Sequence, residues 1–358
     1  MIEALRAEYD LSVLTWNPVD LEHTNRYFGT SLRASDFIAL SPHPVLRRVL
    51  NGIPAPFTLL KMHLLLRLAR RIRRGYDLLI SASNEADLDC PSIQYVHFPA
   101  AFQPRPASDM RWYHHWTVGV NAYRYACRRI SDYSPSRLKN NLTLVNSNWT
   151  GGKVRECHGI DSTTLYPPIA GEFPPVPWPE RENGFVCVGR FAPEKELDKV
   201  IDIIAAVRSR GQDVHLHLIG GRDAHSSSYY FHIRRRIEQN ASWVFLHEDI
   251  PRAELAGLVA RHRYGIHGMS EEHFGMAVAE MVRAGCIVFV PRGGGQVEIV
   301  GDEERLLYRA PEEAAEKILQ TLGDAERQRA LREFLETRAV LFSTERFIAR
   351  TREIVRLF

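Results

Sequence analysis

This sequence predicts an α/β protein built from two domains, each a parallel sheet covered on both faces by helices. Three observations predict it. Short apolar runs alternate with helical patterns through both halves of the chain. A proline-rich stretch separates the halves. At 358 residues each half is long enough to bury a core of its own. Alternation with short links is the pattern of parallel strands joined by crossover helices.

The elements follow in chain order. In the first half Leu11–Trp16, Asp77–Ser81, Ile93–Phe98 and Leu142–Asn146 read as strands, with helical patterns near Thr58–Arg74 and Trp112–Ile130. The run from Tyr166-Pro167-Pro168 through Pro174-Pro175, Pro177 and Pro179 can continue neither a helix nor a central strand. It reads as a linker, so domains are expected at 1–167 and 168–342. In the second half Phe185–Val188, Val214–Ile219, Trp243–Leu246, Tyr264–His267 and Cys286–Val290 read as strands. Helices are expected at Leu197–Ser209, Tyr230–Asn240, Arg252–Ala260, Met276–Ala284 and Pro311–Leu322, with a last helix over 343–358.

Composition narrows the class. The chain is 45% apolar and 25% charged, ordinary for a soluble protein. A net charge of +3 gives no argument for a nucleic-acid partner, and none is expected. The five cysteines are scattered without a C-x-x-C pair, which fits reduced thiols in a cytoplasmic protein. No apolar stretch is long enough to span a bilayer. Glu3, Arg6, Glu8 and Asp10 interrupt any signal peptide, so the sequons at Asn141, Asn148 and Asn240 read as incidental.

The chemistry concentrates in two segments. Ser270-Glu271-Glu272-His273-Phe274-Gly275 leads into a helix whose Met276, Ala277, Val278, Met281, Val282 and Ala284 are apolar nearly all round. Glu280 in such a helix needs hydrogen-bond donors, because burying its charge alone costs several kcal/mol. Vicinal sugar hydroxyls would supply two. The helix N-terminus opened by Gly275 offers free backbone N–H groups that suit a phosphate. A sugar and a phosphate at one helix end suggest a nucleotide sugar. The second segment, Phe185-Val186-Cys187-Val188-Gly189, ends a strand, and Arg190 and Lys195 follow it before a helical pattern. Two cations at a strand's C-terminal end are placed to neutralise a diphosphate.

Gly189-Arg190 with Lys195, followed by Glu272 and Glu280 in an E-x7-E arrangement, resembles the retaining glycosyltransferases of family 4. Glu272-His273-Phe274-Gly275 preceded by Gly265-Ile266-His267, with Tyr95-Val96-His97-Phe98-Pro99 and Val145-Asn146-Ser147-Asn148-Trp149-Thr150, resembles the dolichol-linked oligosaccharide α-1,2-mannosyltransferases among them. The resemblance runs from about Leu11 to the C-terminus. It implies the GT-B fold, two Rossmann-like domains facing across a cleft, with the last helix crossing back to the N-terminal domain. It further implies that Glu280 bonds the donor ribose and Glu272 the hydroxyls of the transferred hexose. The backbone of Phe274, Gly275, Met276 and Ala277 would hold sugar and diphosphate beside Gly189. Arg190 and Lys195 would stabilise the departing diphosphate, and His97 would face the donor sugar from the N-terminal domain.

No metal and no cofactor are expected beyond the nucleotide sugar, for which the resemblance favours GDP-mannose. The sequence spacing shows no carboxylate–histidine metal cluster. The acceptor is expected to be a glycan or a lipid-linked sugar. Such an acceptor would make use of Arg67, Arg70, Arg71 and Arg74, which share one helix face at i, i+3, i+4 and i+7. They read either as a solvated face or as a peripheral contact to anionic headgroups on the cytoplasmic side of a membrane. Asp87 and Asp89 read as solvated loop carboxylates, and Gly293-Gly294-Gly295 as a flexible turn near the donor site. Gly220-Gly221-Arg222 ends a strand beside it.

One departure from the family stands out. The family begins with a strand and a glycine-rich loop, whereas Met1–Glu8 reads as a helix end and no glycine precedes Gly29. The N-terminal domain is therefore expected to lack its first strand and to open with Leu11–Trp16, and activity is expected to be low or absent. Two other readings stay open: a sugar-phosphate enzyme of the same fold, and a catalytically silent subunit that binds a nucleotide sugar.

Overall fold

The computed structural model describes residues 1–53, 57–100, 117–222 and 226–358. The chain divides into two compact units, Met1–Leu165 with Phe347–Phe358, and Tyr166–Arg346.

The first unit opens with a short helix, Ile2–Leu5, ahead of its first strand, β1 (Ser12–Leu14). Among the described residues β1 pairs in parallel only with β2 (Ile38–Leu40), in a two-stranded sheet. A separate parallel sheet takes the order β3-β4-β5-β6, from β3 (Ile80–Ser81), β4 (Ile93–Val96), β5 (Leu142–Val145) and β6 (Thr163–Thr164). Ile93, Tyr95, Leu144 and Leu165 pack with Phe347 and Ile354 of the last helix, Thr344–Leu357, so that helix shares this unit's core. Arg352 reinforces it, donating to Ala4 O at 2.7 Å. Of the expected helix Trp112–Ile130, the part before Thr117 lies outside the described residues; Thr117–Ser131 is helical.

Two expectations for this unit are corrected. Asp87 is no solvated loop carboxylate: its side chain is 0% exposed, 2.6 Å from Arg70 and 2.9 Å from Arg137. It also accepts from Ser134 N at 2.7 Å. The arginine face is correspondingly smaller. Arg70 turns inward to Asp87, while Arg67, Arg71 and Arg74 remain exposed. Asp89 is the surface member of the pair, 2.7 Å from Arg73.

The second unit holds one six-stranded, wholly parallel sheet. Its strands are β7 (Glu182–Val188), β8 (His215–Gly220), β9 (Val244–Glu248), β10 (His262–Ile266), β11 (Ile287–Pro291) and β12 (Leu307–Tyr308), in the order β12-β11-β10-β7-β8-β9. Phe185 to Val188 are buried on both faces, which is why β7 reads as a continuous apolar run rather than an alternation. The helix Leu197–Arg208 buries Leu197, Val200, Ile201, Ile204 and Val207, the spacing of one helical face. Met276–Arg283 approaches β10 closely because Gly265 has no side chain; a Cβ there would meet Met281 Sδ at 2.8 Å.

Strand order decides where the site can be. β7 is the first strand of the unit and sits centrally. The chain winds outward to β8 and β9, then crosses back to β10 on the other side. The crevice at the C-terminal ends of β7 and β10 is therefore the topological switch point, where open parallel sheets bind ligands.

Candidate functional site

Both marked segments leave the sheet at that switch point. Gly189 follows β7, its N–H donating to Ile219 O at 2.9 Å. The ends of β7 and β8 fit together because Gly220 is bare; a Cβ there would strike Gly189 O. Phe191 bridges to Arg222 in the next loop, which places Gly220-Gly221-Arg222 beside the β7 end as the sequence suggests. A 3-10 turn, Pro193–Lys195, then swings Lys195 back over the sheet end, and Glu196 takes a left-handed backbone with φ 47°.

The loop after β10 lies directly against this turn. Gly268 permits the approach, since a Cβ there would meet Lys195 O at 2.6 Å and Glu196 O at 2.8 Å. Lys195 Nζ stands 2.5 Å from Glu272 Oε2, with the two side chains 15% and 17% exposed. His267, 2% exposed, contributes Nε2 at 3.2 Å from the same oxygen. Burial works against the charge on Glu272, yet the His267 hydrogen bond and the Lys195 ammonium hold its carboxyl well below the usual range. Burial also holds His267 below the ordinary imidazole value, so a neutral ring donates its Nε2–H to Glu272. Its Nδ1 is buried and has no hydrogen-bond partner among the described residues.

The triple glycine is not a flexible connection. Gly295 N donates to Glu272 O at 2.7 Å. Gly294 has φ +73°, and a Cβ on it would meet Glu272 N at 2.6 Å. Gln296 Nε2 donates to Met269 O at 2.7 Å and Gly293 O at 3.0 Å, tying the two loops together. The Glu272 loop is thus fixed by a second backbone segment, which preorganises its carboxylate.

The helix Met276–Arg283 starts from Gly275, whose φ of +107° suits only glycine. Phe274 is buried, Ala277 half-buried and Met276 44% exposed, so the helix mouth is open at Met276. Glu280 is 14% exposed, and its partner is a protein cation: Arg252 Nη1 lies 2.7 Å from Glu280 Oε1. The inference that its charge needs a ligand's donors is therefore corrected. Arg252 comes from the helix after β9 and was not legible from spacing. Burial raises the Glu280 carboxyl above its ordinary value even so, with Arg252 opposing.

The remaining predicted residues have contacts of their own. Arg190 is 62% exposed and pairs with Glu194 at 3.2 Å. His97 belongs to the first unit, following β4, with an exposed side chain. Asn84 Oδ1 accepts from His97 N at 2.8 Å, Asn146 Nδ2 donates to His97 O at 3.0 Å, and Tyr95 packs edge-on at 4.8 Å. The two N-terminal motifs thus meet through His97 and Asn146. Sequence reasoning named His267 and Gln296 without giving either a role, and missed Gly268 and Arg252. Only His267 carried a signal, as the polar residue ending an apolar strand.

Among the described residues the fold also assembles Glu182, His215, His217 and His262, with one ligand atom of each within 4.8 Å of the others, a group the sequence reading did not name. It lies at the N-terminal ends of β7, β8 and β10, opposite the switch point.

Comparison with known proteins bears on family and fold. Residues 170–337 match the family described as Glycosyl transferases group 1. A human GDP-Man:Man(3)GlcNAc(2)-PP-Dol alpha-1,2-mannosyltransferase is 28% identical over 227 residues, covering 58% of this chain and 46% of that protein. The Neurospora crassa protein of the same name is 28% identical over 278 residues, covering 62% of this chain and 47% of its own length. The chain thus spans about half the length of the curated relatives it matches. Among solved structures, sucrose-phosphate synthase from Thermosynechococcus elongatus superposes with a TM-score of 0.69 at 18% identity, over 99% of this chain and 90% of that one. Anabaena HepE in complex with UDP and glucose gives 0.67 at 13% identity, over 100% and 95%. The fold is GT-B, and over residues 170–337 the chain carries a group 1 glycosyltransferase domain.

Proposed function

We propose that the protein is a retaining glycosyltransferase that moves a hexose, mannose from GDP-mannose, onto a glycan or lipid-linked acceptor. The observation that carries this reading is the buried Lys195–Glu272–His267 group at the switch point of the second sheet. A cation and an anion held together there meet both ends of a sugar diphosphate. Lys195 exchanges part of its contact with Glu272 for the phosphate oxygens, and the N–H groups at the mouth of the Met276 helix take the rest of that charge. Glu272, freed in part, accepts from the hexose hydroxyls, and Glu280 accepts from the ribose. His97 is the first unit's assigned contact to the transferred sugar. The leaving diphosphate is stabilised by Lys195, with Arg190 contributing from its exposed position, so the reading assigns this task to side chains and backbone rather than to a metal. GDP-mannose is chosen because the relatives named above carry GDP-Man in their names.

Calorimetric titration and a donor assay test this together. GDP is expected to bind more tightly than UDP, and GDP-mannose to be turned over in preference to UDP-glucose. Glu280→Ala is expected to weaken GDP by about tenfold, the loss of one hydrogen bond to a charged group. Unchanged affinity removes Glu280 from the donor site, and absence of any nucleotide binding refutes the reading.

A lipid-linked acceptor also calls for a surface that meets a membrane. Among the described residues no helix is long and apolar enough to cross one. The exposed Arg67, Arg71 and Arg74 are the proposed contact to anionic headgroups, each worth about 1 kcal/mol near such a surface. Sedimentation with phosphatidylserine vesicles is expected at low salt and lost at high salt. The triple exchange of these arginines for glutamine is expected to abolish it. Equal binding to neutral and anionic vesicles contradicts the assignment.

A further inference from the structure

The four side chains at the far end of the second sheet point to a metal site that the donor reading does not use. His215 and His217 alternate along β8 and therefore project from one face. β7 runs between β8 and β10, with Gly184 opposite His215 and Glu182 opposite His262. Gly184 is what lets the rings meet: a Cβ there would collide with the His215 imidazole. The register of β10 against β7 shifts between His262 and Tyr264, which sets His262 out of the regular ladder.

The rings are held for coordination. His262 Nδ1 donates to Leu258 O at 2.7 Å, which fixes its tautomer and leaves the Nε2 lone pair facing the cluster. His215 Nε2 lies 3.0 Å from His262 Nε2 and 3.4 Å from Glu182 Oε2, and His262 Nε2 lies 3.7 Å from that oxygen. A tetrahedral ion with bonds of about 2.0–2.1 Å needs ligand atoms about 3.3 Å apart. The three separations bracket that edge. His217 is backed by His247, whose Nε2 is 2.7 Å from His217 Nδ1, which orients the ring and leaves its Nε2 for the ion. Arg261 Nε, 3.7 Å away, engages Glu182 through Oε1, the other carboxylate oxygen.

We propose that Glu182, His215, His217 and His262 bind one divalent transition-metal ion of the zinc class, which clamps the starts of β7, β8 and β10. Three imidazole nitrogens and one carboxylate oxygen are the donor set that zinc takes in four-coordinate sites. Glu182 is 45% exposed and His262 0%, so the ion enters from the Glu182 side and seats against His262. In its absence His215 Nε2–H donates to His262 Nε2; on binding, His215 takes the other tautomer. The site is independent of the donor reading. Six residue steps of β7 separate it from the switch point, about 20 Å.

The experiment titrates the full chain, stripped of metal by a chelator, with zinc or cobalt(II) alone. One equivalent is expected to bind, with the intense visible bands of tetrahedral cobalt, and zinc is expected to raise the Tm. Glu182→Gln and His215→Gln are each expected to weaken binding by about tenfold or more, since even losing a hydrogen-bond partner behind a ligand costs that much. Both positions are partly exposed, so these variants are the ones that keep their fold. His232→Gln, on the exposed face of the helix Ser227–Gln239, is expected to titrate like the parent. Nonstoichiometric binding, a weak octahedral cobalt spectrum, or equal affinity in the Glu182 and His215 variants and the parent overturns the proposal.

Discussion

Lys195→Ala is expected to lower kcat/KM with GDP-mannose by about a hundred- to a thousandfold, the scale for removing one preorganised group from a developing anion. The side chain is 15% exposed, so its charge acts with little solvent screening. Arg190→Ala is expected to cost much less, because its guanidinium is 62% exposed and competes with water and Glu194. Folding changes in a defined way. Glu272 has a folded pKa below its unfolded value, so its contribution to stability is present above the unfolded pKa and is lost as pH falls through the folded one. Without Lys195 burial is less opposed, the folded pKa rises, and that contribution shrinks. Rates measured beside urea midpoints at neutral pH separate the two effects. Full turnover by Lys195→Ala would falsify its leaving-group role.

Asp87→Ala is expected to destabilise the first unit by about 3–5 kcal/mol, the cost of breaking a buried ion pair from one side. Asp87 is fully buried between Arg70 and Arg137, and Arg70 is itself only 10% exposed. Removing the carboxylate strands a guanidinium that keeps only Asp132 and the backbone carbonyls of Asp87, Ser131 and Asp132. Burial pushes the Asp87 carboxyl up, but its hydrogen bonds to Arg137, Ser134 and Arg70 leave it below its ordinary value. The stability it contributes is therefore present above the unfolded pKa, about 3.9, and lost as pH falls below it. The parent and Asp87→Ala should converge as the medium is acidified. A urea midpoint unchanged at neutral pH would show that the pair contributes nothing net.

The second sheet was legible because its information is local. Phe185–Val188 and Ile287–Val290 are continuous apolar runs of strand length, and Val214–Ile219 alternates apolar residues with His215 and His217. The first unit was read less completely. β2 has three residues, too few to show a period, and the helix Pro44–Gly52 buries only Leu50. The helix Ala325–Ala339 was missed for a related reason: it buries only Leu331 and Leu335, a stripe too thin to stand out among its charges. At the site, Glu272, Gly275 and Glu280 could be named because they are contiguous with one helix start. Pairings between elements could not. Arg252 reaches Glu280 from the helix after β9, and the histidine group exists only because β10 returns to lie beside β7. The alternation His215-x-His217 was visible as a same-face pair, but nothing in the linear order places Glu182 and His262 next to it.

Gly293-Gly294-Gly295 has a consequence for anyone who would re-engineer sugar choice. Added Cβ atoms would strike Ser270 O from Gly293 and the backbone of Glu272 from Gly294. A saturation library across the first two of these codons would consist almost entirely of clones with a displaced acidic loop, whatever side chain was sampled. Diversity has to be introduced on the opposite loop, at Ser270, Glu271 and His273, with the triplet left as written. The glycines are thus the invariant mould and the acidic loop the castable part.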